Sequence, residues 1–346
     1  MTTTIELRID VTDAVGLGPA EVAATVHLPA AADLPARPVV AFGFPGGGYC
    51  RRYFAMDLPD WPAGGEAAWH CQRGWVFVAI DHLQFGDSTV FEPDVLTFEH
   101  ISLGNKAAVQ HVLARLADGS LTDALPAIAE PFTVGIGQSM GGCFTIVAQG
   151  QHQLFDAVAI LGYSAIHTVV PSRPGTPNMP MPWITRASYP AAPTIVNPQV
   201  LAGGPAITDP DSLAEAVTEQ EHVWTWAFHH DDEARDLVAL DMNAMSGGPV
   251  PSWRSATSAA CGIVMVAPGA VATEAAAITV PVFVGVGEQD VVPDPAMEPK
   301  AYKSSPDITV FRCERMAHMH NFAPTRVSLW HRVHAWAQGL ADSAQP

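Results

Sequence analysis

The run Gly137-Gln138-Ser139-Met140-Gly141-Gly142 sets one serine between glycines two before and two after it. An apolar, β-branched run over 131–137 precedes it, and helical spacing over 140–148 follows. A serine at such a strand-to-helix corner must occupy a strained turn, and the glycines remove the Cβ atoms that would block it. Its hydroxyl then stands above the sheet edge, over the free N–H groups of the helix start. This suits nucleophilic attack on a carbonyl. The resulting oxyanion needs two N–H donors. Met140, next after the serine, supplies one; the loop Phe42-Gly43-Phe44-Pro45-Gly46-Gly47-Gly48-Tyr49 is the source of the other, because its glycines let backbone come close. No Lys-Ser/Thr pair follows those glycines, so a phosphate-cradling P-loop is not expected.

A serine nucleophile also needs a base and a group to orient that base. Asp290 lies in Gly287-Glu288-Gln289-Asp290 after a late apolar run, where a carboxylate can reach a site above the sheet and charge-stabilise a histidine. The loop Met316-Ala317-His318-Met319-His320-Asn321-Phe322 offers two bases. His318 and His320 are two apart, so in an extended loop they point the same way and spacing does not choose. No third histidine or carboxylate stands at companion spacing, so no metal site is expected. His229-His230-Asp231-Asp232 reads as a solvated helix junction. Asp81 and Asp87, in the turn over 81–88, read as turn-capping residues.

These groups need a scaffold. Near-continuous apolar runs over 38–43, 74–81, 131–137, 157–162, 278–286 and 308–311 suit strands buried on both faces. Helical patterns over 105–116, 140–148 and 327–336 alternate with them. The fold class is therefore α/β, a mostly parallel central sheet flanked by helices, with an antiparallel N-terminal pair over 5–9 and 21–27. The rhythm breaks over 163–275. Ten prolines between Pro171 and Pro210 exclude a regular helix or central strand there. Helical segments are expected over 211–230, 232–242 and 255–265. The segment holds four of the nine tryptophans and five of the eleven methionines, and no lysine. It reads as an inserted helical, Pro-rich cap or lid on a core made of 1–162 and 276–346. Its apolar underside would wall a pocket, with Trp183, Trp224, Trp226 and Met179 as substrate-binding candidates.

Composition narrows the partners. Hydrophobic residues are 48% and charged residues 15% of 346, which suits an ordered globular chain with a large core. The formal net charge is −18 with only 17 Lys and Arg, so neither nucleic acid nor an anionic membrane is an expected partner. No apolar run approaches the roughly 20 residues of a membrane helix. Met1 to Glu6 has no basic-then-apolar start, so a secretory signal is not expected. Five scattered cysteines suggest neither a disulfide framework nor zinc, and a cytoplasmic location follows as the default. Association into a homo-oligomer stays open.

The chain resembles α/β-hydrolase-fold serine hydrolases of the esterase-like branch, with a cap between the sixth and seventh strands. The motifs from about Val39 to Trp336 carry the resemblance; the cap matches only in position. It implies a triad in the order Ser139, Asp290, His318. Ala317 before the histidine and Asn321 after it favour His318 over His320, which remains the alternative base. The turn over 81–88 is similar to the family's Asp-x-x-Gly-x-Gly-x-Ser, with Gln84 replacing a glycine. Phe42 stands where that family often has histidine, and a second alignment lays Pro45-Gly46-Gly47-Gly48 on its His-Gly-Gly-Gly loop. The second oxyanion donor thus stays open among Phe44, Gly46 and Gly47. The activity implied is hydrolysis of a small to medium, mostly apolar carboxylic ester through an acyl-enzyme, with no cofactor. A C–C bond hydrolase, thioesterase or acyltransferase on the same triad, or a ligand receptor on this scaffold, are the competing readings.

Overall fold

Alternation along each strand builds the molecule. In β3 (Val39–Phe44), Val40 and Phe42 face one apolar layer while Val39 and Ala41 face the other; in β4 (Val76–Ile80), Val78 and Ile80 oppose Phe77 and Ala79. Both faces are apolar because helices cover both. The computed structural model describes residues 3–58, 63–92, 94–181, 186, 224–245 and 248–344.

Among these, β1 (Thr3–Asp10), β2 (Glu21–Leu28), β3, β4, β5 (Phe132–Gln138), β6 (Ala157–Leu161), β9 (Val282–Gln289) and β10 (Ile308–Ala317) form one sheet. Their order is β1-β2-β4-β3-β5-β6-β9-β10. β1 pairs antiparallel with β2 and β2 with β4; every later pairing is parallel. The expected α/β sheet and its N-terminal antiparallel pair are both present.

On one face lie α3 (Phe98–Ala117), which buries Ala108, Val109, Val112 and Leu116, and α4 (Met140–His152). On the other lie α2 (Gly65–Cys71) and the C-terminal helix Arg326–Ser343, through Leu329, Val333 and Ala337. A short helix, α1 (Thr12–Val15), links β1 to β2. Each large apolar side chain buried here is worth about 1.5–3 kcal/mol.

Several bounds differ from the sequence reading. α3 begins at Phe98 rather than residue 105, because Thr97 and His100 close a capping box that the apolar pattern does not register. β9 starts only at Val282, since residues 278–281 leave the end of helix Ala272–Ala277 through Pro281. β10 runs on to Ala317.

β6 and β9 are neighbours in the sheet, and a long segment joins them in sequence. Its described parts are a two-strand ribbon of β7 (Val169–Val170) and β8 (Met179–Pro180), a helical stretch over 224–228, the helix Arg235–Met245 and the 3₁₀ turns of Ala260–Val266. The helical segment expected over 255–265 forms only in its second half, as the 3₁₀ turns. Residues 255–259 run irregularly, with Ser255 and Thr257 hydrogen-bonded into the 84–86 turn. Most of the helix expected over 211–230, and Trp183, lie outside the described residues.

Candidate active site

The corner after β5 is strained as the sequence requires. Ser139 has φ 53° and ψ −119°, a region that costs a non-glycine residue about 1–3 kcal/mol. Surrounding structure holds it there: its N–H donates to the Leu161 carbonyl (2.7 Å) and its carbonyl accepts from Cys143 (3.1 Å). A Cβ on Gly141 would collide with the Phe44 carbonyl, and one on Gly137 with the Gly141 carbonyl. Glycine is thus needed at both positions to let β3, β5 and α4 converge.

Parallel strands deliver the partners to the same sheet edge. Ser139 follows β5, Asp290 follows β9 and His318 follows β10. The Ser139 hydroxyl lies 2.9 Å from His318 Nε2, and His318 Nδ1 lies 2.7 Å from Asp290 Oδ1. The carboxylate can only accept from His318 Nδ1–H, which leaves Nε2 free to accept the serine proton. Burial alone would raise the Asp290 pKa, but the charge and hydrogen bonds of His318, with those of His320, hold it well below the carboxylate range. Between Asp290 and His318 lie a 3₁₀ turn (Pro295–Lys300) and β10. The register of β10 against β9 shifts between Cys313 and Ala317, and this irregularity re-aims the chain just before His318.

His320 is also brought in, on the far side. Its Nε2 lies 2.7 Å from Asp290 Oδ2, so it meets the acid and not the serine. A 3₁₀ turn, His320–Phe322, replaces the extended loop in which the two imidazoles would point alike.

The loop after β3 lies against Ser139. A Cβ on Gly46 would sit 3.1 Å from the Ser139 Cβ, and one on Gly47 would sit 2.7 Å from the Met140 methyl. Phe44 is still in β3, paired with Gly137, and its ring stacks on His82 at 5.6 Å. Of the three alternatives for the second donor, Gly46 and Gly47 border the cavity and Phe44 does not. His82 Nε2 lies 3.3 Å from the Pro45 carbonyl, while the Asn105 amide donates to Nδ1 (3.0 Å), which pins the loop from below.

Two buried ion clusters went unread in the sequence. Asp81 does cap its turn, accepting from the Asp87 N–H, but it also accepts from the Arg51 backbone and pairs with the Arg51 guanidinium. Asp241 accepts from the Tyr49 hydroxyl (2.6 Å), Trp253 Nε1 (2.7 Å) and two Arg254 nitrogens (2.9 and 2.6 Å), and lies 3.1 Å from His229 Nε2. Burial would raise its pKa, but His229 and Arg254 hold it well below the carboxylate range. This cluster ties the insertion to Tyr49, next to the glycine loop. His229 is accordingly no solvated junction: it is buried between Glu233 and Asp241. Long-range pairing of this kind leaves no periodic signal in sequence.

Above Ser139 is a cavity of about 250 Å³. Met140, Met265, Met319, Trp224, Phe228 and Val291 give it an apolar wall, and Gln138, Thr168, Ser258, Tyr49 and Tyr163 bring polar atoms to the lining residues. Among the described lining residues no lysine, arginine or carboxylate appears. Of the candidate substrate contacts, Trp224 lines the cavity. Trp226 does not: its carbonyl accepts from Gln289 Nε2 and its ring lies under Arg173. Met179 sits in the β7–β8 ribbon, away from the lining. Phe228 packs on the His318 ring at 4.9 Å, and the carbonyls of Ala227 and Phe228 accept from the N–H groups of His318 and Met319.

All five cysteines are buried and unpaired. No group of three or more potential metal ligands, and no helix long and apolar enough to cross a membrane, occurs among the described residues.

No protein-family model and no curated protein matches the chain. Solved structures do. It is similar to a thermophilic esterase from Thermogutta terrifontis, at 13% identity and a TM-score of 0.59, covering 97% of this chain and 99% of that one. A proline iminopeptidase from Mycobacterium smegmatis is 16% identical with a TM-score of 0.59, covering 99% and 100%. A peroxisomal α/β-hydrolase from Saccharomyces cerevisiae is 13% identical with a TM-score of 0.56, covering 100% and 89%. Identities this low speak to architecture rather than chemistry. With its sheet order and its insertion after β6, the chain has the α/β-hydrolase fold.

Proposed function

We propose that the chain is a serine hydrolase that cleaves a small to medium, mostly apolar carboxylic ester. One observation carries this reading: the hydrogen-bonded series Ser139–His318–Asp290 opens on a cavity whose described lining bears no Lys, Arg or carboxylate. His318 takes the serine proton as Ser139 attacks the carbonyl, and Asp290 stabilises the imidazolium. The oxyanion is held by the Met140 N–H and by Gly46 or Gly47. His318 then gives its proton to the departing alcohol, and finally activates the water that cleaves the acyl-enzyme. The insertion acts as the cap, with Trp224 and Phe228 over the acyl group. No metal or organic cofactor enters this sequence.

The lack of carboxylates among the described lining residues favours an ester over a cationic substrate such as a peptide amino terminus. The same triad serves C–C hydrolases, thioesterases and acyltransferases, which compete as readings. A panel of p-nitrophenyl esters of increasing acyl length, run on the wild type and on Ser139→Ala, tests the assignment. Turnover of short or medium esters, lost by on the order of 10³-fold or more in the variant, is expected. Equal hydrolysis by both proteins would remove Ser139 from the mechanism.

A further inference from the structure

Asp290 is held by more than one histidine. Its Oδ1 accepts from His318 Nδ1 and from the Val291 N–H (2.8 Å); its Oδ2 accepts from the Gly287 N–H (2.8 Å) and faces His320 Nε2 at 2.7 Å. Two imidazoles therefore share one carboxylate, one on each oxygen. A carboxylate kept ionised has no proton to give, so His320 must carry its hydrogen on Nε2. In the neutral ring that leaves Nδ1 as an unprotonated acceptor, and it is buried with no hydrogen-bond partner. An orphaned ring nitrogen costs stability, so a space-filling residue would serve a merely structural position better.

The surroundings are built for both rings. Gly162 has φ 58°, and a Cβ there would lie 3.1 Å from His318 Nδ1 and 3.3 Å from His320 Cε1. Next to His320, Asn321 is fastened on all sides: its N–H donates to the Tyr53 hydroxyl, its amide to the Tyr53 carbonyl and to Glu66, and its oxygen accepts from Trp330. The turn that carries His320 thus has little freedom to point it elsewhere.

We propose that His320 is a positioning residue for the hydrolytic site, donating Nε2–H to Asp290 so that the carboxylate is both aimed at His318 and limited in the charge it presents to it. This rests on the serine-hydrolase reading given above. Without the second imidazole, negative charge concentrates toward His318, favouring its protonated form and withdrawing the free base as pH falls. The other ionisable groups around His320 are few. Burial pushes the Glu66 carboxyl on α2 up to about 7, while the Asn321 amide and His320 act in the other direction. Tyr53 holds the adjoining backbone, and His229 of the insertion packs edge-on against Phe322 in the same turn.

The test compares His320→Gln, which can present an amide N–H at the Nε2 position, with His320→Phe, which fills the space without a donor. His320→Phe is expected to lower kcat by roughly 10- to 100-fold, the usual worth of a hydrogen bond to a charged group. KM should change little, and the acidic limb of the kcat/KM profile should move to higher pH. His320→Gln should restore the limb and most of kcat. An unmoved limb in His320→Phe, or equal loss in both variants, would reduce His320 to packing. Should His320→Phe not fold, nitrogen-15 histidine spectra of the wild type decide: a proton on His320 Nε2 and a bare Nδ1 support the proposal, and the opposite tautomer overturns it. The tautomer is read without turnover, whereas Ser139→Ala tests the hydrolase reading itself, so the two failures are separable.

Discussion

The strand-end site and the insertion above it were written into the sequence in different ways. Ser139, Asp290 and His318 each sit one residue past a strand, where local pattern, glycine placement and topology together fix the position. The insertion has no such lattice. Its described parts are tied to the core by contacts far apart in sequence, above all Asp241 with Tyr49, a carboxylate that Trp253 and Arg254 also hold from within the insertion. In the proposed function the strand-end residues supply the chemistry, while the insertion governs what reaches it. The two regions should therefore fail differently when broken.

The largest effect belongs to the strand ends. His318→Ala, like Ser139→Ala, should lower kcat by about 10³-fold or more while leaving the melting transition in place. A steady-state assay beside a thermal melt checks both halves, and a large loss of stability would mean that the triad is also structural glue.

The insertion should fail through stability. Asp241→Asn leaves Arg254 buried and short of its counter-charge, a change that costs about 3–5 kcal/mol when a buried pair is broken. Because Tyr49 joins the same carboxylate beside the glycine loop, kcat should fall as well. Denaturant unfolding and kinetics on one preparation measure the two effects; an unchanged midpoint would show that the cluster does not latch the insertion.

Titration separates the regions further. In the core, burial depresses His27 and His82 to about 4 and His70 to about 3. These imidazoles stay neutral in the fold but take protons when unfolded, so stability is expected to fall as pH drops from about 6.5 toward 4. Glu66, raised to about 7 by burial, works the other way, losing its contribution as pH rises from 4.5 to 7. Three imidazoles outweigh it, and melting temperature should decline toward acid. In the insertion, burial opposes protonation of His229, but Asp241 and Glu233 raise its pKa above the ordinary 6.5. Its contribution is complete below 6.5 and disappears as pH rises through the raised value. Limited proteolysis within the insertion should thus quicken at alkaline pH, while the core is most fragile in acid. Cleavage that quickens only in acid would contradict this.

The smallest effects should fall on specificity. Trp224 borders the cavity and Trp226 does not. Trp224→Ala should shift acyl-chain preference by roughly 10-fold, the scale of 1–3 kcal/mol in an apolar pocket, and Trp226→Ala should leave it unchanged. The ester panel reads both, and a shift confined to Trp226→Ala would reverse the placement.

Much of the core was legible because its signals are local. Near-continuous apolar runs marked β3 through β6, and the paired glycines marked the corner at Ser139. Asp290 showed itself by following a strand. The choice between His318 and His320 was not available from spacing, because the turn over 320–322 that sends them to opposite sides depends on Asn321, Tyr53 and Glu66. Residues 255–265 carried a helical pattern that tertiary bonds from Ser255 and Thr257 overrode in the first half, leaving 3₁₀ turns in the second. Trp226 and Met179 looked like pocket residues by type alone, and type does not say which way a side chain is turned. The Asp241 cluster was invisible because each partner, taken singly, is an ordinary polar residue.

The central claim is that Ser139 is a nucleophile activated by His318. It is tested most directly by reacting the protein with a fluorophosphonate and mapping the adduct by mass spectrometry, in the wild type and in His318→Ala. A single adduct on Ser139, formed at least about 100-fold more slowly in the variant, is the expected result. No adduct, an adduct on a different serine, or an equal rate in both proteins would contradict the account.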